Sequence, residues 1–197
     1  MRYIWLLLAS TLLLTGCNWV YQVGGPPEGV LEGNSSIPND FHFITQHGEE
    51  MTTGTLSDTY WIANFIFTEC PSVCPMMTPN MQALQDFTME ENLPVQYISF
   101  TVDPDADAPE RLKKYGENMG VNFDTWDFAT GYSQEEIAAF SEEAFLAPVQ
   151  PLEDNDDIMH STRFFLIDRN GDVIRLYDGL AVDQSPIQED LLNVIED

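Results

Sequence analysis

The run Tyr60-Trp61-Ile62-Ala63-Asn64-Phe65-Ile66-Phe67 leads directly into Thr68-Glu69-Cys70-Pro71-Ser72-Val73-Cys74-Pro75. A continuous apolar stretch rich in aromatics, without polar alternation, is the pattern of a strand buried on both faces. The cysteine loop follows at once. A helix is expected to start at Thr78-Pro79, with proline in its first turn where a missing N–H costs little, and to run to about Glu91. Val95 to Val102 reads as a second buried strand.

Working outward, Asp107-Ala108-Pro109-Glu110 has the form of a capping box opening a helix to about Asn118. Phe123 to Ala129 is a third strand. Ser133-Gln134-Glu135-Glu136 is another capping box, for a helix to about Phe145. His160 to Asp168 and Asp172 to Tyr177 pair across Asn170-Gly171, a hairpin turn. Ser185-Pro186-Ile187-Gln188 caps a terminal helix. Upstream, Phe41 to Thr45 and Glu50 to Thr53 flank His47-Gly48 as an N-terminal hairpin. The order is hairpin, βαβαβα, ββ, α, an α/β chain with a central mixed sheet flanked by helices and an antiparallel C-terminal hairpin. A cysteine pair where a buried strand turns into a helix is the thioredoxin-like arrangement.

The chain has 197 residues, a mass of 22.3 kDa and 44% hydrophobic residues, enough for one domain with a real core. Acidic residues number 33 against 7 basic ones, a net charge of −26. Nucleic-acid binding needs clustered Lys and Arg and is excluded as an expectation. No Lys or Arg lies between Arg2 and Arg111, which rules out a phosphate-cradling P-loop there. Such acidity suits a saline or alkaline exterior, where salt screens self-repulsion.

The chain opens with MRYIWLLLASTLLLTGC. Its apolar run is shorter than the roughly 20 residues a membrane span needs, so a cleaved secretory signal is expected at 1–16. Leu14-Thr15-Gly16-Cys17 resembles a bacterial lipobox, in which Cys17 would be lipidated. Residues 17–37, rich in Gly, Pro, Ser and Asn, read as a tether of about 25 Å root-mean-square span, and 38–197 as the folded domain. The expected location is extracytoplasmic, anchored by lipid to the outer face of the cell membrane.

With Cys17 so placed, Cys70 and Cys74 are the remaining thiols. Their CxxxC spacing differs from the CxxC of a dithiol reductase. Residues i and i+4 in a helical turn face the same way, so both sulfurs can converge on one ion, and a soft thiolate pair selects Cu(I) or Zn(II) over Mg or Ca. A stabilising disulfide across so small a loop would gain little chain entropy. His160 is the best third ligand, since imidazole suits copper. His42 and His47 are assigned to a strand and a turn, Met76, Met77 and Met159 to packing. Asp103, Asp105 and Asp107 lack the Gly and Glu of a calcium loop and read as loop and cap residues.

Three separated motifs in order resemble the SCO/SenC family: Phe67-Thr68-Glu69-Cys70-Pro71-Ser72-Val73-Cys74-Pro75, then Val102-Asp103-Pro104 with Ala108 to Tyr115, then His160 ahead of Phe165-Leu166-Ile167-Asp168. The stretch Phe123 to Ser133 looks especially like lipoprotein members from Gram-positive bacteria. The resemblance spans roughly Pro38 to Asp197. It implies a thioredoxin-like fold, Cys70, Cys74 and His160 as ligands of one copper, Cu(I) or Cu(II), and a role in assembling the CuA site on subunit II of cytochrome c oxidase. Many members carry Asp just before this histidine, where this chain has Met159.

The expected function is a metallochaperone, not an enzyme, whose thiols couple copper loading to disulfide formation and so also meet thiol–disulfide reductants. The first rival is a thiol–disulfide reductase keeping the oxidase cysteines reduced, which needs both thiols but not His160. A peroxiredoxin-like peroxidase is suggested by Thr68 two residues before Cys70. It would want an arginine near the thiolate, for which Arg163 is the plausible donor. A copper or redox sensor is the non-catalytic rival.

Overall fold

A computed structural model describes residue 27 and residues 30–152 and 157–195. The apolar run is strand β4 (Tyr60–Ile66), and every residue after Tyr60 is buried. It pairs in parallel with β5 (Val95–Thr101), itself parallel to β6 (Trp126–Thr130). Helix α1 (Cys74–Glu90) joins β4 to β5, and α2 (Pro109–Met119) joins β5 to β6. A helix between parallel neighbours is what carries the chain back along the sheet. On the other side of β4 lies β9 (Arg163–Ile167), antiparallel to it, then β10 (Asp172–Asp178). The order in the eight-stranded sheet is β1 (Leu31–Ser36), β10, β9, β4, β5, β6, β2 (His42–Thr45), β3 (Glu50–Thr52), a thioredoxin-like mixed sheet flanked by helices.

The hairpin of β2 (His42–Thr45) and β3 (Glu50–Thr52) adds to β6 at one edge. Helix α3 (Gln134–Phe145) begins with the anticipated capping box: Ser133 Oγ accepts the Glu136 N–H while the Glu136 carboxylate accepts that of Ser133. Its last residue, Phe145, meets Phe65 edge-on at 5.2 Å and Phe165 at 4.9 Å between ring centroids, tying the helix end to β4 and β9. Gly171, at φ +86°, makes the turn between β9 and β10.

Four local expectations are revised. The folded part begins before residue 38: strand β1 (Leu31–Ser36), inside the expected tether, pairs antiparallel with β10. Its polar, Gly- and Asn-bearing sequence hides a strand held mainly by backbone bonds, with Ser35 and Ser36 hydroxyls adding to them. At Gly33 a Cβ would come within 2.2 Å of the Val173 carbonyl oxygen, so glycine permits the close approach. Helix α1 starts at Cys74, not Thr78. Pro75 fills the first turn, and Pro79 lies inside the helix. Asp107 does not cap α2, whose N-cap is Ala108 with no side-chain cap bond. At the start of α4 (Ser185–Ile195), Asp183, not Ser185, accepts a backbone N–H.

The segment ahead of His160 contains a two-stranded ribbon, β7 (Gln150–Pro151) with β8 (Ile158–Met159). Strand β9 therefore starts at Arg163, and His160 sits between the ribbon and the sheet. No helix among the described residues is long and apolar enough to cross a membrane. Cys17, the signal at 1–16 and most of the tether lie outside the described residues.

Candidate metal centre

The parallel core fixes where the chemistry sits. The chain leaves β4 through Phe67 and Thr68 into the cysteine loop, at the carboxyl end of the parallel strands, where α/β sheets bind ligands. Because β9 runs antiparallel to β4, with Phe165 opposite Ala63, the residues ahead of β9 arrive at that same end. His160 is thereby brought to the cysteines from 86 residues away.

The ligand atoms of Cys70, Cys74 and His160 all lie within 4.8 Å of one another. Both cysteines are free thiols and buried, and His160 is half-buried. Cys74 Sγ is 3.8 Å from His160 Nε2. Atoms bonded at about 2.0–2.3 Å to one ion in a trigonal plane stand ~3.8 Å apart, so the site needs only a small contraction to close around a metal. The tautomer also fits. His160 Nδ1 donates to the Ser161 carbonyl at 2.9 Å, leaving the Nε2 lone pair towards the sulfurs, the arrangement typical of a metal-ligating histidine. The ring stands edge-on to Phe67, 6.0 Å between centroids, which fixes its plane.

The two thiols differ in acidity. Burial alone would raise Cys70, but its interaction with His160 and hydrogen bonds from the backbone of Cys74 and Ser72 outweigh it, bringing the thiol from 9.0 down to about 6. The Cys74 N–H reaches Cys70 Sγ at 3.5 Å, a helix-start amide favouring thiolate. Cys74 is pushed up, chiefly by burial and further by the charges of Cys70 and Asp157. A metal cation would displace both protons.

A second cluster braces the loop. The Asp107 carboxylate, 1% exposed, accepts the Thr68 N–H at 3.1 Å, the Thr68 hydroxyl and the Thr101 hydroxyl. Arg111 Nε donates to Thr68 Oγ1 at 2.7 Å, and its other end pairs with Glu69. Sequence reasoning gave Asp107 a capping role and overlooked Arg111. The i,i+4 spacing of Asp107 and Arg111 was the available signal. Among the described residues, no guanidinium is hydrogen-bonded to either sulfur.

The remaining candidates lie elsewhere. His42 is exposed in β2, and His47 packs edge-on against Phe123. Met77 is fully buried core, whereas Met76 and Met159 are exposed. Asp103 and Asp105 stay in the loop after β5 with no metal cluster around them among the described residues.

The family model of SCO1/SenC matches residues 30–196. The chain belongs to the SCO1/SenC family. A SCO1/SenC family lipoprotein from Bacillus anthracis is 39% identical, with a TM-score of 0.78 over 83% of this chain and 96% of that one. BsSco, a member of the Sco family of cytochrome c oxidase assembly proteins in which a disulfide switch was identified, is 35% identical, TM-score 0.74, over 87% of this chain and 96% of that one. Yeast Sco1, solved with copper bound, shares the fold at 21% identity and a TM-score of 0.69, over 82% and 89%. Within this family of copper-binding assembly proteins, the chain holds a Cys, Cys, His group and carries Met159 immediately before the histidine.

Proposed function

We propose that this SCO1/SenC chain is a metallochaperone, not an enzyme, that delivers copper for the CuA centre on subunit II of cytochrome c oxidase. The observation that carries the reading is the convergence of Cys70, Cys74 and His160 within 4.8 Å. Two sulfurs and one imidazole form a soft set suited to copper, and they would hold one Cu(I) or Cu(II). A bound copper supplies the cargo. The chain's own part is to bind it in a buried pocket, orient His160 through Ser161 and release it by ligand exchange. After release, Cys70 and Cys74 can close to a disulfide, passing two electrons and two protons to a disulfide-bearing acceptor. The disulfide switch of BsSco is consistent with that coupling.

The chain is proposed to act outside the cytoplasm, held to the membrane by lipid at Cys17 after removal of residues 1–16. The likeness to a lipoprotein supports this. The test of the delivery reading is copper titration of the reduced chain, following thiolate-to-copper charge transfer. One tight equivalent is expected, weakened about 100-fold or more in His160→Ala, since even loss of an outer-shell partner costs 10–100-fold. Equal binding by the variant would remove the basis of the proposal.

A thiol–disulfide reductase is the second reading, favoured by the split between an acidic Cys70 and a protonated Cys74. It predicts disulfide exchange that survives loss of His160 as a ligand.

A further inference from the structure

Two of the large apolar side chains left in water gather beside His160. Leu146, 63% exposed, and Met159, 43% exposed, line one cleft of about 310 Å³ with His160 and Arg163. Leu31 lines a neighbouring cleft that shares Arg163, and Met76 lies two residues beyond Cys74. An exposed apolar face of this kind marks an interaction site. Leu146 also closes α3 at φ +53°, a left-handed conformation that favours glycine, yet its side chain points to no core.

The charge of the Leu146–Met159 cleft is as unusual as its apolarity, whereas Asp178 and Asp183 line the neighbouring cleft. The chain carries −26 overall, but none of the ten residues lining the Leu146–Met159 cleft is acidic. Arg111 pairs with Glu69, Arg175 with Asp190, and Arg169 lies over the Tyr60 ring. The Arg163 guanidinium alone among the described arginines has no side-chain partner. Its cross-strand neighbour Asp178 instead accepts the N–H of Leu180.

We propose that this face docks the protein that exchanges copper with Cys70, Cys74 and His160, and that the partner presents an apolar loop carrying a carboxylate that pairs with Arg163. The inference rests on the copper-delivery reading and names the surface that reading requires. A second copy of the chain would bring its own −26, and an anionic lipid surface would be repelled likewise. An acidic side chain on an apolar partner edge fits Arg163, the cation that lines this cleft.

The experiment uses the full copper-loaded chain in detergent, with the soluble copper-site domain of oxidase subunit II as probe. Binding is measured by calorimetry over a salt series, and copper transfer by stopped flow. Arg163→Gln and Leu146→Gly are each expected to weaken docking about tenfold and to slow transfer in proportion, with copper affinity unchanged. Arg163→Gln should also flatten the salt dependence. Leu146→Gly should weaken docking at undiminished stability and leave the salt dependence as it is, because glycine accepts the left-handed backbone and no charge is removed. Variants that bind and transfer as the wild type does overturn the docking surface alone. So do variants that change only self-association in sedimentation or only binding to anionic vesicles. A wild-type chain that holds copper yet does not engage the domain overturns the acceptor assignment, and this surface with it.

Discussion

Cys70 and Cys74 are chemically alike in sequence and unlike in the fold: both lie beside His160, but Cys70 also receives a helix-start amide while Cys74 is the more deeply buried. In the metal-free reduced chain, Cys70 titrates near pH 6 against an ordinary 9.0. A folded value below the unfolded one means the thiolate's contribution to stability is complete above about pH 9 and is lost as pH falls through 6. Alkylation by iodoacetamide should therefore label Cys70 first, with a rate midpoint near pH 6, and leave Cys74 protected. In His160→Ala the midpoint should move up towards 9. A midpoint that stays put would show that the histidine does not set it. The three residues that converge could all be read from the chain, since residue type and CxxxC spacing are local properties and His160 is marked by its place before a buried strand. Their unequal acidity could not, because it depends on burial and on amide directions that only the folded loop defines.

At the scale of elements, the cysteine loop is held by its neighbours rather than by itself. Asp107, from the turn before α2, binds the end of β4 through Thr68 and the end of β5 through Thr101. Removing it in Asp107→Ala leaves buried donors without an acceptor, a loss of about 3 kcal/mol to be read by denaturant unfolding, along with weaker copper binding as the loop loosens. The strand and helix order was legible because β4 and β5 are strongly apolar and the turn at Asn170-Gly171 and the Ser133 capping box are local signals. Strand β1 was not. It lacks apolar alternation and exists because β10 offers an unpaired edge, with Ser35 Oγ donating to the Ala144 carbonyl at 2.7 Å. A chain beginning at Pro38 should lose that cover and the buried Ile37 and Val30. The expected cost is roughly 2–3 kcal/mol, with self-association through the bared edge visible in sedimentation. Unchanged stability in that truncated chain would return residues 31–36 to the tether.

For the whole molecule the governing quantity is charge. Against a net of −26, the described residues form only three ion pairs, two of them sharing Arg111. Most carboxylates therefore repel one another across the surface, and the folded state concentrates that repulsion. Raising ionic strength from 0.1 M to 1 M shortens the screening length from about 10 Å to about 3 Å. The melting temperature of the chain should then rise by roughly 3 °C or more, the shift expected from about 1 kcal/mol in a domain of this size. The same field draws cations towards the site, so the rate of capture of aqueous Cu(II) should fall over the same series. The two responses have opposite signs and one cause. A melting temperature that falls with salt would mean that the ion pairs outweigh the repulsion. A capture rate indifferent to salt would mean that burial at Cys74 and His160, and not the surface charge, limits entry of copper.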